Sequence, residues 1–505
     1  MKRSVARVFL SFSYGRMVAV ACAAIALAGC TVGPNYHRPS AEVPAHWDTT
    51  APWVQGTPLD SLPKGAWWAV FHDDELNLLE QQAIDANQTL KVSVARLQQA
   101  RASASIQVAS NFPTFGLAPS SALPSAQRQR LAGGRPVASS NINAAPFTLN
   151  SYAIPFAVNY EVDLFGQRRR SIESAQATYQ ASGADLENVR LVITAELAGD
   201  LFTLRQQDTE IGILNRTVDA LEKGLQLVQS RHDGGVASGL DVAQEETFLE
   251  TARTQAILLQ QQRKQSEDAI AVLIGKPAPD FHLDPKEIEV EPPAIAAGLP
   301  SDLLERRPDV AEAERQMAST NAQIGVAKAA YFPSLSLFGG TGFNTAKIGS
   351  LLTSPSIFWA LGADLAEPIF TGGARRAQVQ FSKAAYDASV ATYRATVLTA
   401  FSEVQDSVAG LTVLQSAQQS QQNAVDSARR TLDISTDRYK GGLVSYLDVV
   451  TAQQTLLSNE QTLATIRGQR LVTSVLLVKA LGGGWDASSI SALAVKPKAK
   501  DIIAP

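Results

Sequence analysis

The sequence of 505 residues predicts an α+β membrane protein in which one unit of helices and strands occurs twice. Three observations predict this fold class. A short apolar segment near the N-terminus ends at a cysteine, a glycine-containing motif recurs in the second half, and apolar residues change from a period of two to a helical period within each half. The formal net charge of -4 gives no indication of a nucleic-acid partner.

The N-terminal segment has the organisation of a bacterial lipoprotein signal. Basic residues precede an apolar run over 17–28, and the sequence Leu-Ala-Gly-Cys then ends at Cys30. These regions describe a secretory signal, and the run is too short for a membrane-spanning helix. An ordinary signal with an incidental cysteine is the alternative, but all positions of the lipobox fit. We therefore predict removal of residues 1–29 and acylation of Cys30, with palmitate as one lipid.

The residues beside the cleavage site bear on compartment and stability. Thr31, rather than Asp, follows the cysteine, which by the general bacterial sorting rule favours the outer membrane. Cys22 leaves with the signal, so we expect no disulfide and no thiolate metal site in the mature chain. Its stability then has to come from packing and assembly.

Landmarks recur in the same order in the two halves. Residues 231–242 read RHDGGVASGLDV and residues 438–449 read RYKGGLVSYLDV. Two further pairs recur: Phe112-Pro113 with Phe332-Pro333, and Leu164-Phe165 with Ile369-Phe370. The first copy carries extra residues, which we place in a loop within 117–150 because that stretch is rich in Ser, Ala, Asn and Pro. The chain is therefore interpreted as two copies of one unit.

Each copy begins with a helix and continues with two strands. Helical patterns cover 73–110 and 301–331, and each ends at Phe-Pro because proline cannot continue a helix. Apolar residues then alternate with small or polar ones, which predicts strands with one wet face. The alternating apolar sets are Phe115 and Leu117, Tyr152 to Leu164, Leu335 and Leu337, and Ile357 to Leu365. The pattern predicts four strands per chain.

Two long helices joined by a tight hairpin follow the strands in each copy. Their apolar residues step by three and four or recur every seven residues, as in Ile211, Leu214, Val218, Leu221, Leu225 and Val228, and in Val390, Val397, Val404 and Leu411. Sustained sevens predict left-handed coiled-coil contacts. A helix over 171–231 would be about 90 Å long, about three times the hydrocarbon layer of a bilayer.

The strand count itself predicts an oligomer. After Cys30 the sequence contains no apolar run long enough for a membrane-spanning helix. A chain that spans the membrane must then do so with strands, and a spanning sheet has to close on itself. Bacterial barrels have about eight strands or more, so four strands have to pool between subunits of a symmetric oligomer.

The hairpin motifs combine helix-ending and helix-starting residues. Glycine pairs at 234–235 and 441–442 end the first helix of each hairpin. Arg231 and Arg438 lie in the last turns of these two helices. Ser238 and Ser445 are placed to cap the next helix, with Asp241 and Asp448 three residues later, close to a capping box. Two interpretations stay open: this is hairpin chemistry alone, or the tips bind a partner and Leu447 and Asp448 narrow a duct.

Several further segments carry a family resemblance that covers nearly the whole mature chain. They are Cys30 to Tyr36 with Pro39; Trp67-Trp68 with Phe71, Asp73 and Leu76; Leu299 to Val310; Ile324 to Pro333; and Lys479 to Trp485. With these segments the chain resembles the TolC/OprM-type outer-membrane factors, specifically the NodT-like efflux transporter outer-membrane lipoproteins of tripartite pumps.

The resemblance implies an architecture and partners. Three chains of four strands would form a twelve-stranded transmembrane β-barrel, continuous with a long periplasmic α-helical coiled-coil barrel. The homotrimer would dock to a periplasmic adaptor, or membrane fusion protein. The adaptor would link it to an inner-membrane efflux pump, commonly of the resistance-nodulation-division class. The function implied is passive conduction of drugs or other small toxic compounds, opened by docking and contributing to antibiotic resistance.

The resemblance also implies roles for hairpin residues. The adaptor contacts would be Arg231, Gly235, Val236 and Ser238 in the first tip and Arg438, Gly442, Leu443 and Ser445 in the second. The second hairpin corresponds to the one that constricts the duct, which makes Leu447 and Asp448 candidate gate residues. Thr451 is the third candidate, because it stands where the family often has a carboxylate.

These features divide the chain into segments. The predicted divisions are a signal peptide over 1–29, a lipidated N-terminal segment over 30–72, a first repeat over 73–275, an equatorial linker over 276–300, a second repeat over 301–482 and a C-terminal tail over 483–505.

Three other classes of protein fit the sequence less well. An enzyme is disfavoured because the five histidines are scattered and no nucleophile, phosphate-loop or metal motif occurs, so no cofactor or metal is expected. A structural coiled-coil lipoprotein spanning the periplasm, without a channel, is the main alternative, but it leaves the paired strands unexplained. A general porin would consist of strands throughout. The sequence is nearly silent on the exported compounds.

Overall fold

The computed structural model describes residues 31–40, 43–44, 65–117, 120–122, 151–293, 306–485, 490 and 492–495. The predicted signal peptide and Cys30 lie outside the described residues. So do parts of the predicted linker, of the loop within 117–150 and of the C-terminal tail.

Helices and strands follow one order in the two halves. The first half contains α1 (Asp74–Ala86), α2 (Gln88–Ala109), β1 (Thr114–Leu117), β2 (Ser120–Ala122), β3 (Ser151–Val162), α3 (Gln167–Asp233) and α4 (Gly239–Leu273). The second half contains α5 (Pro308–Ala329), β4 (Ser334–Thr345), β5 (Ile357–Ala366), α6 (Ala374–Lys440) and α7 (Tyr446–Ala480). The long helices match in length, with 67 residues in α3 and α6 and 35 in α4 and α7.

The helix predicted over 73–110 is interrupted at Asn87. Its backbone leaves the helical region (φ -57°, ψ 128°), and its side chain accepts a hydrogen bond from the Leu90 N–H at 3.0 Å. The Asn87 amide also donates to the Leu273 carbonyl at 2.8 Å. A new helix therefore begins at Gln88, and the break is tied to the end of α4.

The described strands belong to one antiparallel sheet. β1 and β2 both pair with β3, so they occupy one strand position, and β3, β4 and β5 follow in sequence order. The sheet thus has four strand positions, as the alternation predicts. Its outer positions are β1/β2 on one side and β5 on the other.

The second predicted strand, which the structure shows as β3, ends two residues earlier than its apolar alternation suggests. β3 stops at Val162 because the Asp163 carboxylate accepts hydrogen bonds from the backbone N–H groups of Arg168 and Arg169, at 3.1 and 3.0 Å. Gly166 completes the turn in the left-handed region at φ +83°. The long helix therefore begins at Gln167 rather than near residue 171.

The larger of two main hydrophobic cores joins the long helices α3, α4, α6 and α7 to the short helices α1, α2 and α5. Trp67, Phe71 and Phe202 are buried there, and the rings of Phe71 and Phe202 lie 5.1 Å apart. Asp73 caps α1 by accepting from the Leu76 N–H at 2.9 Å, and it pairs with the buried Arg205. A buried cation is retained when its charge is paired and hydrogen-bonded, as it is here.

The described part of the predicted linker is an extended segment bound to the long helices. The Leu283 N–H donates to Glu267 at 2.7 Å, and the Lys286 N–H donates to Asp208 at 3.0 Å. Arg263 joins both carboxylates and also donates to the Leu283 carbonyl at 2.8 Å. These bonds fix the segment across α3 and α4.

A second core lies in the seam between the two helical hairpins, which we call the hairpin seam. It is built from apolar residues of α3, α4, α6 and α7, including Leu221, Val228, Val242, Phe248, Tyr439, Tyr446 and Val449. Three of the apolar residues predicted for one face of α3, Leu214, Leu221 and Val228, are buried in this core. In the ranges that the structure covers, the helices lack the combination of length and hydropathy that a bilayer-spanning helix needs.

Candidate functional site

The first hairpin tip ends α3 with a Schellman turn. The Val236 N–H donates to the Arg231 carbonyl and the Gly235 N–H donates to the His232 carbonyl, both at 2.8 Å. Gly235 adopts φ +74°, which residues with a Cβ rarely tolerate. The second glycine of the pair is therefore the one that the turn requires.

The second tip repeats this geometry. The Leu443 N–H donates to the Arg438 carbonyl and the Gly442 N–H donates to the Tyr439 carbonyl, both at 2.9 Å. Gly442 adopts φ +72°. The two tips are therefore the same backbone structure.

Capping boxes start the returning helices. In the first tip the Ser238 N–H donates to the Asp241 carboxylate and the Asp241 N–H donates to the Ser238 hydroxyl, both at 3.2 Å. In the second tip the Asp448 carboxylate accepts from the Ser445 N–H at 3.0 Å and from its hydroxyl at 2.7 Å. Both carboxylates therefore help to cap the returning helices, and a gating role for Asp448 stays a prediction.

The turn of each tip exposes one apolar side chain between its glycine pair and its capping serine. Val236 and Leu443 occupy equivalent positions and are each 71% exposed. Ser238, Ser445 and the tip glycines are exposed beside them. The predicted contact residues thus form two similar polar surfaces, each with one exposed apolar side chain, Val236 or Leu443, in its turn.

The two predicted arginine contacts have different surroundings. The Arg231 guanidinium lies 4.8 Å from the centre of the Tyr439 ring, and its Nη1 is 3.5 Å from the Lys440 carbonyl. Arg231 therefore joins the first tip to the second. Arg438, its counterpart in the repeat, is exposed.

The three gate candidates follow one another at the start of α7. Leu447 is 54% exposed and lines a groove of about 610 Å³ between α4 and α7. Thr451 is exposed one turn later, and its hydroxyl donates to the Leu447 carbonyl at 2.8 Å. Asp448 is exposed between them. The side chains of Leu447 and Thr451 therefore lie on one face of the helix.

A buried carboxyl group near the tips was not predicted from the sequence. Glu245 on α4 is fully buried, and within the described part of the chain its oxygens form no hydrogen bond of good geometry. Burial raises the pKa of Glu245 to about 7, although the nearby Tyr446 hydroxyl and Gln453 amide lower it. A signal was available, because Glu245 occupies an apolar position of the helical pattern, between Val242 and Leu249.

The described N-terminal segment packs against the start of α3. The Val32 N–H donates to the Phe165 carbonyl at 3.0 Å, and Arg170 donates to the Asn35 side chain at 2.8 Å. Thr31 packs against Gly166, where β3 passes into α3. Thr31, the residue after the predicted acylation site, therefore lies at the junction of sheet and helices.

Ligating side chains are not clustered in the described residues. Within the ranges that the structure covers, no group of three or more His, Cys, Asp or Glu side chains is arranged to hold a metal ion. His232 bonds the Ala237 carbonyl at 3.0 Å and His282 contacts Glu267 at 2.9 Å, so both have local partners.

Comparisons with known proteins agree with this arrangement. The sequence matches the family described as outer membrane efflux protein over residues 79–276 and 299–483. The probable efflux pump outer membrane protein TtgC of Pseudomonas putida is 33% identical over 473 residues, covering 93% of this chain and 96% of TtgC. The pyoverdine export outer membrane protein OpmQ of Pseudomonas aeruginosa is 34% identical over 423 residues, covering 83% and 87% of the two chains. The solved structure of the outer-membrane channel OprN has a TM-score of 0.81 at 28% identity, covering 90% of this chain and 100% of that one.

Proposed function

The chain belongs to the outer membrane efflux protein family, and we propose that three copies form the duct through which an efflux pump releases small toxic compounds. The family resemblance inferred from the sequence landmarks is confirmed. The protein is the outer membrane channel of an efflux pump in a Gram-negative bacterium, and its family is one of channels rather than of enzymes.

One observation carries the duct proposal. A four-position sheet passes directly into two helices of 67 residues, each about 100 Å long at about 1.5 Å per residue. A sheet in the outer membrane that continues into helices of this length would reach far into the periplasm. The periplasmic rod without a channel gives no role to the sheet.

The trimer is supported by surfaces that one chain leaves uncovered. On β5 the side chains of Ile357, Trp359, Leu361 and Leu365 are all more than half exposed and share one face. The outer positions of the sheet have partners on one side only, and such edges have to pair or be protected. Three chains joined edge to edge would give the twelve-stranded barrel.

Partner docking is proposed for the two tips. Val236 and Leu443 are equally exposed, and the rigid turns beneath them hold their positions. We assign these surfaces to a periplasmic adaptor that links the duct to an inner-membrane pump, of the resistance-nodulation-division class. Leu447, Asp448 and Thr451 on the adjoining turn are proposed to narrow the closed duct.

The names of related proteins suggest which class of compound this chain exports. OpmQ is described as exporting pyoverdine, and TtgC as part of an efflux pump. We propose drugs and other small toxic compounds for this chain, delivered by the pump.

The function is tested by accumulation of a fluorescent efflux substrate in cells that lack the gene. Loss of the gene should raise accumulation, and a plasmid copy should reverse the rise. A copy carrying Val236→Asp and Leu443→Asp should reach the membrane as a trimer but fail to restore efflux. Unchanged accumulation of several chemically different substrates in the deletion strain would contradict the efflux role, and conduction by the purified protein would separate a duct from a rod.

A further inference from the structure

The hairpin seam contains a carboxyl group where its other positions are apolar. Glu245 lies in the second turn of α4 and has no exposed surface. Its neighbours on the same face of α4, Val242 and Leu249, belong to the apolar seam. A buried carboxyl in such a place needs either a partner for its charge or a proton.

The opposing helix leaves room for this carboxyl group. A Cβ at Gly224 of α3 would lie 3.4 Å from the Glu245 carboxyl carbon and would overlap one of its oxygens. The same position would lie 3.4 Å from the Tyr446 hydroxyl oxygen. The carboxyl therefore occupies the space that a side chain at 224 would fill.

The second hairpin contributes the polar groups nearest to the carboxyl. Tyr446 and Gln453 of α7 lie beside it, and the nearness of their polar groups lowers the pKa of Glu245. Tyr446 is itself buried and packs on Tyr439 of α6, with ring centres 4.8 Å apart. Helices from both hairpins therefore converge on Glu245.

Cations in the described structure are held elsewhere. On α3, Arg231 lies over Tyr439, Lys223 is exposed, and Glu222 pairs with Arg253 at 2.5 Å. On α4, Asp241 caps its own helix one turn before Glu245. Within the described ranges, Glu245 has no ion pair to stabilise its charged form.

We propose that Glu245 is a proton-sensitive gating residue, whose neutral carboxyl holds the two hairpins together and whose ionised form favours their separation. The inference rests on the proposed channel function, because it needs the hairpins to move when the duct opens. Opening the hairpin seam would hydrate the carboxylate and remove the penalty of burying its charge.

The direction of the pH effect follows from the shift caused by burial. In the closed packing the pKa of Glu245 is about 7, and in a hydrated seam it would return towards its ordinary value of 4.5. Protonation of Glu245 then favours the closed packing fully below about pH 4.5. This stabilisation is lost as the pH rises to about 7, and the balance between closed and open packing changes little above that pH. One pKa unit is a factor of ten, so opening should become more than about tenfold easier per subunit from pH 5 to pH 7.

The test is conductance of the purified full-length protein in planar bilayers between pH 5 and pH 8.5. Wild type should conduct more as the pH rises to about 7 and then level off. Glu245→Gln, which keeps the shape of a neutral carboxyl, should stay at the low conductance of wild type at pH 5. The matched control is Glu246→Gln, which removes an exposed carboxylate from the next position and should follow wild type.

Gly224→Ala supplies a second variant. Its methyl group displaces the carboxyl from the packed position, so conductance at pH 5 should exceed that of wild type at the same pH. Trimer content and helix content are measured for every variant.

The outcomes separate this inference from the function beneath it. Wild type that conducts equally at every pH, or a Glu245→Gln variant with the wild-type pH profile, would overturn the inference and leave the duct intact. Wild type that never conducts and does not restore efflux would overturn both.

Discussion

The two 67-residue helices have the same length and ends but different surroundings. Each begins after a glycine in the left-handed region, Gly166 and Gly373, and each ends in a Schellman turn. α3 packs against α2, α4, α5 and α7 within its own chain, and its apolar residues are mostly buried. α6 contacts α5 and α7, and leaves Phe381, Leu398, Val413 and Ile434 between 59% and 70% exposed.

The apolar surface of α3 is therefore covered inside the chain, and that of α6 is covered only in part. At about 100° per residue the four exposed side chains of α6 fall within about 100° of one another, so they form one apolar face. An apolar face of this length on a helix indicates a contact with another chain. In the proposed trimer, the neighbouring copy covers it.

The largest effect is expected from charging that face. Leu398→Glu with Val413→Glu should abolish the trimer, because each buried aliphatic side chain contributes roughly 1.5–3 kcal/mol and every trimer carries three copies. Light scattering of the detergent-solubilised protein measures the mass. Gln419→Glu places a charge at an exposed polar position of the same helix and should remain trimeric. A stable trimer with both substitutions would show that α6 is not the contact.

A smaller effect, on the stability of the fold, is expected from replacing Glu80, the buried carboxyl group of α1. This helix packs against α3. Burial raises the pKa of Glu80 to about 9, so the folded protein holds a proton there that the unfolded chain releases above about pH 4.5. Stability is therefore lost as the pH rises from about 4.5 to 9. Glu80→Gln should stabilise the protein by up to about 5 kcal/mol at pH 8 and by less than about 1 kcal/mol at pH 5.

Thermal unfolding in detergent at the two pH values measures this effect. Asp85→Asn, which neutralises an exposed carboxylate on the same helix, is the control and should show no such pH dependence. Equal effects of Glu80→Gln at both pH values would mean that Glu80 is ionised when buried.

The equivalence of the two tips is sharpened by alanine substitutions at their glycines. Gly235→Ala and Gly442→Ala should each destabilise a tip by about 1–2 kcal/mol, because both positions require the left-handed region. Gly234→Ala and Gly441→Ala are matched controls with ordinary φ values of -79° and -77°. Hydrogen exchange of the tip amides reports each change, and unequal effects of the first pair would break the equivalence.

The smallest effect distinguishes the two arginines. Arg231→Ala should loosen the contact between the tips by about 0.5–1 kcal/mol, because it removes the guanidinium from the Tyr439 ring. Arg438→Ala should leave tip stability unchanged and weaken adaptor binding alone. Hydrogen exchange and adaptor pull-down separate the two, and the same exchange profile for both variants would contradict the assignment.

Much of the fold was predictable because its signals are local. Alternation at Ile357 to Leu365 predicted β5, and steps of three and four at Leu214 to Val228 predicted the buried side of α3. The hairpins were predictable for the same reason. A glycine needed at φ > 0, and a serine three residues before an aspartate, act within one turn of backbone.

Less of the candidate site was predictable, because its contacts join distant parts of the chain. The motif treats Arg231 and Arg438 as equivalent, yet only Arg231 lies over a ring of the other hairpin. Asn87 interrupts a helical pattern because the Leu273 carbonyl, far along the chain, accepts from its amide. Neither partner can be read from neighbouring residues.

The strands, the long helices, the tip turns and the family could be predicted from the sequence, since periodicity, glycine placement and capping are properties of short segments. Which apolar faces are covered, and where Glu245 lies, became clear only from the packing of distant segments. The reason is physical: burial and pKa depend on the groups brought together in space. For Glu245 these are Gly224 of the first hairpin and Tyr446 of the second.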